Sequence, residues 1–333
     1  MKVSIASKEI IHFIGIGGIG MSGLAQIMKN MGFRIQGSDL NKNKNTERLT
    51  GIGIKVYRGH HKNNLKKATL VVISSAIKKD NKELKAAIAK KLPLFKRGDM
   101  LANIVELKKN IVVAGSHGKT TTTSLVANIL LESSLDPTVI NGGVINSLKN
   151  SAQLGKGEWA VIESDESDGS FLKLPITYSI VTNLDKEHLD FYNDFEKLKK
   201  CFCEFINKTP TYGKSFICID DQNLKSIISK IKTKNYSTYG FSKKADYQVF
   251  NIKKKQNHSI FDLRIKNQKE KVFYIKNIRV NLIGDHNILN AGASVAVALN
   301  LGIKIQKIKK ALKKFLGIQR RFTKVFSLKK NDF

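Results

Sequence analysis

The chain has 333 residues, more than one ordinary domain of about 100–150, so two domains are expected. Its 41% apolar and 26% charged residues are those of a globular protein and exclude disordered, collagenous and disulfide-scaffold classes. The net charge of +31 would ordinarily point to nucleic acid, but only eight of the 58 basic residues are arginine. Arginine is the residue that reads phosphate forks and base edges, and no nucleic-acid module is legible. Lys, Asn and Ile crowd the whole chain, so the charge reads as compositional bias. Residues 225–280 carry 15 positive and 3 negative charges interleaved with strand-like stretches, which reads as a solvated sheet face. Three cysteines (Cys201, Cys203, Cys218) suit a reducing compartment. No apolar run of about 18 residues is present to cross a membrane. The expectation is a soluble, cytoplasmic protein.

In chain order, Ile10–Ile14 reads as a strand, Met21–Met31 as a helix, and Phe33–Gln36 and Leu70–Ser74 as strands, with Asn81–Lys90 helical. Such alternation predicts a parallel sheet covered on both faces. A second strand–turn–helix opens at Ile111–Ala114 and Thr121–Leu131. Strands follow at Trp159–Ile162, Ser179–Thr182 and Ser215–Ile219, then meandering strands over 240–283, and helices at Asn287–Asn300 and Ile305–Phe315. The domains expected are 1–108 and 109–316, with 317–333 a linker stub.

The first glycine-rich turn, Gly15-Ile-Gly17-Gly18-Ile19-Gly20, fits G-x-G-x-x-G between a strand and a helix. Its glycines allow a tight turn and close approach of backbone to a phosphate, which the helix N-terminus then attracts. Asp39, 19 residues beyond Gly20, stands where a ribose hydroxyl would be held. The spacing alone leaves NAD and a UDP-sugar both open.

The second turn, Gly115-Ser116-His117-Gly118-Lys119-Thr120-Thr121, has the form of a loop whose consecutive backbone amides cradle phosphates. Lys119 would reach the outer phosphates and a hydroxyl would touch Mg²⁺. It departs from G-x-x-x-x-G-K-[ST] because Val113 takes the place of the first glycine. Glu163, at the end of an apolar strand, and His188, after the strand Ser179–Thr182, are candidate metal ligands beside this loop. Asn287 and Asn290 lie three apart at a helix start and suit either a purine edge or simple capping. Arg320–Arg321 reads locally as a solvated pair or as a guanidinium reaching phosphates.

Taken together, these motifs resemble the Mur ligase family, the ATP-dependent amide-forming ligases of peptidoglycan precursor synthesis. The residues that carry the resemblance are His12–Ala25, Gly115–Thr123, Glu163–Asp168, Thr182–Asp190, Gly284–Ala291 and Gly317–Phe322. The resemblance implies an α/β chain with a Rossmann-like UDP-binding domain followed by a P-loop-type α/β central domain that binds ATP. It assigns Gly15, Gly17, Gly18, Ile19, Gly20, Ser22, Asp39 and Ser74 to the UDP-substrate. Gly115–Thr121, His286, Asn287, Asn290 and Arg321 fall to ATP, Thr120, Glu163 and His188 to Mg²⁺, and Lys119, Glu163 and His188 to catalysis. The glycine loop favours the branch that joins L-alanine to UDP-N-acetylmuramate. Other readings are a peptide-adding ligase on the same sugar nucleotide and, in a different class, a basic nucleic-acid-binding ATPase. The family continues past the arginine pair into a third Rossmann-like domain of roughly 100–150 residues. The resemblance therefore implies that these 333 residues lack it and turn over poorly, if at all; oligomeric state is not legible.

Overall fold

The computed structural model describes residues 9–146, 150–187, 189–266 and 271–317. The first ~100 residues form a five-stranded, fully parallel sheet from β1 (Ile10–Ile14), β2 (Arg34–Asp39), β3 (Lys55–Arg58), β4 (Leu70–Ile73) and β5 (Leu94–Lys96). Helices α1 (Ile19–Asn30), α2 (Lys44–Gly51), α3 (Lys82–Ala89) and α4 (Arg97–Val105) follow β1, β2, β4 and β5. The order β3-β2-β1-β4-β5 reverses direction between β1 and β4, so the crevice at their C-terminal ends is the natural ligand site. Ile11, Phe13, Ile14, Val71 and Val72 are fully buried, as expected of strands covered on both faces.

The second sheet has ten strands. They are β6 (Lys109–Ala114), β7 (Thr138–Ile145), β8 (Asn150–Gln153), β9 (Trp159–Glu163), β10 (Tyr178–Val181), β11 (Lys214–Cys218), β12 (Tyr236–Gly240), β13 (Tyr247–Lys254), β14 (Ser259–Lys266) and β15 (Val272–Val280). The order is β15-β14-β13-β12-β11-β10-β6-β9-β7-β8, parallel from β13 through β7, with antiparallel additions at both ends. Helices α5 (Lys119–Glu132), α6 (Leu189–Tyr192), α7 (Phe195–Asn207), α8 (Gln222–Ile227), α9 (Asp285–Asn300) and α10 (Ile305–Lys314) complete the layers. The chain leaves β6 towards β9 and β7 on one side and returns to β10 on the other. The loops after β6 and β10 therefore face each other across a second switch point.

Helix α5 begins Lys-Thr-Thr-Thr-Thr-Ser, a run of poor helix formers. Tertiary packing overrides propensity, because Thr120–Ala127 is buried throughout and α5 is sandwiched against α9 and α10. Helix α9 is buried from Asn287 to Ala298 apart from Leu289, and its small residues let it pack closely. The expected strands and helices appear with ends shifted by a few residues. Short β3 and β5, the polar α2, and α4, β7, β8, α6, α7, α8 and β12 are additions to the sequence reading.

Candidate functional site

The first site is built at the C-terminal ends of β1, β2 and β4. Gly15, at φ +82°, turns the chain so that its amide and that of Ile16 both donate to the Ser38 carbonyl (2.9 and 3.0 Å). Gly17 donates its N–H to Asp39 Oδ2 at 2.7 Å, and a Cβ there would lie 2.8 Å from the same oxygen. Asp39 thus pins the glycine loop, while its carboxylate also lines a cavity of about 370 Å³ with Asn41, Lys42, Thr46, Tyr57 and Arg58. Gly18 caps α1 without a side-chain hydrogen bond, and no acid stands in the first turn, which leaves the helix amides and dipole to an anion. Ile19 and Gly18 are exposed there, and half-buried Ser74 sits beside Gly15. Ser22 is different. It is fully buried, donates to the Ile19 carbonyl at 2.9 Å and accepts from Arg48 Nη2 at 3.2 Å. In this arrangement the hydroxyl fastens the start of α1 to α2.

Under this site Glu83 of α3 is wholly buried between two histidines, with His12 Nε2 and His60 Nδ1 each 3.1 Å from its carboxylate and the Ser38 hydroxyl also donating to it. Gln36 Nε2 lies 3.2 Å from His12 Nδ1, on the other side of the ring from Glu83. Burial alone would push the Glu83 carboxyl up, but the hydrogen bonds from His12 and Ser38 outweigh it and hold it below the usual carboxylate range.

The second site follows β6. Gly118 caps α5 at φ +81°, with no side-chain cap and no acid in the first turn. The loop is clamped from the facing β10 end. Ser116 and His117 donate their amides to the Asn183 carbonyl (3.1 Å) and Asn183 Oδ1 (2.7 Å). Thr182 donates to the His117 carbonyl (2.6 Å), and Asp185 donates its amide to Ser116 Oγ (2.8 Å). A Cβ at Gly115 would lie 2.2 Å from Thr182 Oγ1, so only glycine permits the clamp. His117 is exposed, with Nε2 3.0 Å from Asp185.

Lys119 Nζ donates to the Gly115 carbonyl (2.6 Å), the Ser116 carbonyl (3.1 Å) and Glu166 Oε1 (2.7 Å). Burial raises the Glu166 carboxyl despite the lysine beside it. Thr120 Oγ1 lies 2.9 Å from Glu163 Oε1, while Glu163 Oε2 accepts the Gly142 amide at 2.6 Å. These converging hard oxygens suit Mg²⁺. Asn290 is buried against Gly118, Thr121 is buried one turn in, and His286 is exposed. Asn287 is buried and donates its side-chain amide to the Ile283 carbonyl at 2.8 Å. His188 and Arg321 lie outside the described residues.

Two phosphate-ready loops on successive α/β sheets also mark known proteins. Residues 113–298 match the Mur ligase middle domain and residues 10–109 the Mur ligase family catalytic domain. The chain belongs to the Mur ligase family. This Mur ligase chain is 58% identical over its full length to the UDP-N-acetylmuramate–L-alanine ligase of Pelagibacter ubique, of which it covers 72%. It is 47% identical over 95% of its length to the enzyme of the same name from Parvibaculum lavamentivorans, covering 65% of that protein. Among solved structures, the UDP-N-acetylmuramate–alanine ligase of Thermotoga maritima superposes with TM-score 0.84 at 29% identity, over 95% of this chain and 70% of that one. The UDP-N-acetylmuramate:L-alanyl-γ-D-glutamyl-meso-diaminopimelate ligase of Neisseria meningitidis does so with TM-score 0.83 at 28% identity, over 94% and 99%. The Mur ligase fold thus carries the two-sheet arrangement described above. None of its described helices is long and apolar enough to cross a membrane.

Proposed function

We propose that this chain belongs to an enzyme that joins L-alanine to the lactyl carboxylate of UDP-N-acetylmuramate at the expense of ATP. The observation that carries the reading is the Lys119–Thr120–Glu163 constellation on a clamped phosphate loop, in a chain 58% identical to a protein named for that reaction. A carboxylate is a poor electrophile. It becomes reactive by attacking the γ-phosphorus of ATP and expelling ADP, and the resulting acyl phosphate then loses phosphate to the alanine amine. Lys119 would exchange its loop carbonyls for the outer phosphates and balance the charge that moves to the leaving oxygen. The uncapped amides at the start of α5, from Gly118 to Thr121, would hold the remaining phosphate oxygens. Thr120 and Glu163 would hold Mg²⁺, which would supply positive charge against the phosphates; His188 is the further ligand the resemblance suggests. Asn290 and His286 fall to the nucleotide side. In the first domain the open amides at the start of α1 take the diphosphate of the UDP-sugar, beside Ser74 and the loop that Asp39 pins.

The very similar superposition on the peptide-adding ligase makes the amine acceptor the point to test. Calorimetry of the 333-residue chain should show binding of UDP-N-acetylmuramate and of a non-hydrolysable Mg-ATP analogue; binding of neither overturns the reading. Mass spectrometry after incubation of the intact enzyme with ATP, the UDP-sugar and both acceptors separates the two ligases. An alanyl product supports the proposal, and a tripeptidyl product favours the alternative.

A further inference from the structure

Arg97 stands at the junction of the two halves, immediately after β5 as the first residue of α4. Its guanidinium crosses the start of α1. A Cβ on Gly20 would lie 3.3 Å from both Cδ and Nη1 of Arg97. From the other side, Arg97 Nη2 donates to Asp165 Oδ2 at 2.9 Å, in the acidic loop that follows β9 of the second sheet. Among the described residues that is the only hydrogen bond of a side chain with five N–H donors, although the side chain is only 16% exposed. Asp165 stays ionised opposite it: burial pushes its carboxyl up, but the Ser167 hydroxyl and Arg97 more than offset this.

An arginine this enclosed normally uses more of its donors. The edge carrying Nη1 lies over the same uncapped helix start that offers its amides to an anion. A planar guanidinium with one edge fixed on a carboxylate presents the other at a set angle, as bidentate phosphate recognition requires. The neighbouring packing holds this register. Gly98 follows, and a Cβ there would lie 2.5 Å from Ser170 Cβ, while Lys173 pairs with Asp99 at 2.5 Å. Residues 97–99 are thereby fastened to the segment 165–173.

We propose that Arg97 is a diphosphate-contacting residue of the UDP-sugar site and that Asp165, from the ATP-binding half, is its positioning residue. Substrate recognition in the first domain is then completed by a side chain whose aim is set by the second. This rests on the reading of Gly15–Gly20 as the UDP-substrate site. Glycine at position 20 keeps open the space the guanidinium needs, which spacing in the motif alone does not reveal.

The test titrates the 333-residue chain with UDP-N-acetylmuramate, UDP and uridine, the nucleoside being followed by saturation-transfer NMR. Arg97→Ala should weaken both diphosphate ligands by about 10- to 100-fold, the size of a charged hydrogen bond, and leave uridine unchanged. Arg97→Lys should recover part of the loss. Asp165→Asn should alter UDP affinity at least about threefold with Arg97 present and not at all in the Arg97→Ala background, the signature of one residue acting through another. Equal losses for UDP and uridine, or no loss, would reduce Arg97 to a structural strut and overturn the proposal. An Asp165→Asn effect that persists without Arg97 would overturn the positioning role. Failure of the unmodified chain to bind any of the three ligands would instead sink the reading of the first domain. Melting curves of each variant separate lost contacts from lost folding.

Discussion

Asn290 of α9 presses its carboxamide against the phosphate loop: a Cβ on Gly118 would lie 2.8 Å from Asn290 Oδ1 and 3.2 Å from Nδ2. Asn290 Nδ2 has no hydrogen-bond partner among the described residues, although the residue is only 5% exposed. A buried donor without an acceptor is costly unless a ligand supplies one. Asn290→Ala should weaken binding of a Mg-ATP analogue by about 3- to 10-fold without lowering the melting temperature. Gly118→Ala should fail differently. The positive φ and the contact together should cost about 1–3 kcal/mol of stability, read by denaturant titration, and ATP affinity should fall with it.

Lys119 is the counter-charge for a buried carboxylate. In the intact enzyme, Lys119→Ala should lower ATP-dependent ligation by two or more orders of magnitude, as expected for one preorganised charge contact. It should also destabilise the chain, because Glu166, with its side chain 3% exposed, loses the ammonium 2.7 Å away. Adding Glu166→Gln should restore much of the melting temperature but none of the turnover. Turnover near normal in Lys119→Ala would refute the catalytic assignment.

The pair Thr120–Glu163 should show in the metal dependence. Glu163→Gln keeps the shape of the side chain and removes its charge, so the Mg²⁺ concentration at half-maximal ATP-analogue binding should rise about tenfold or more. Thr120→Val should act in the same direction. Binding measured without Mg²⁺ should change far less in both variants.

Acid should reach the first domain through Glu83. Its folded carboxyl sits below the ordinary value of 4.5 because His12 and Ser38 stabilise the anion against its burial. Below about pH 4.5 the unfolded chain takes up the proton first, so stability present above that pH is lost as pH falls through the folded value. Glu83→Gln should be less stable at pH 7 by about 1–3 kcal/mol, and its stability should fall less steeply as the pH drops below 4.5. A parallel pH profile for the two proteins would show that Glu83 does not set the acid response.

Much of this was legible in the chain because apolar runs and glycine turns are local signals. β1, β6 and β9 read as strands since parallel strands buried on both faces are nearly continuous in Ile and Val. The polar helix α2 escaped that pattern, although its capping box, with Asn43 Oδ1 accepting from Thr46 N, is a local signal that would have placed it. Arg97 was out of reach. Its position arises from contacts with Gly20, about 77 residues earlier in the chain, and with Asp165 of the second half, 68 residues later. The contact between Ser22 and Arg48, 26 residues apart, was equally beyond reading from the chain.

The ten-stranded sheet ends unequally. At one end β8 lies against α1, whereas at the other β15 is an edge strand whose Val272, Phe273 and Tyr274 are exposed. Lys309 of α10 donates to the Lys276 carbonyl at 2.5 Å and so occupies part of that edge, and the open stretch beside it is bounded by exposed Lys271. An unpaired edge invites another strand, and on this chain the obstacle to a second copy is the like charge each would bring, out of a net +31. Salt shortens the reach of that repulsion from roughly 10 Å at 0.1 M to about 3 Å at 1 M while leaving the apolar edge untouched. Concentrated salt should therefore drive self-association, visible as rising light scattering, and Tyr274→Lys should delay its onset to higher ionic strength.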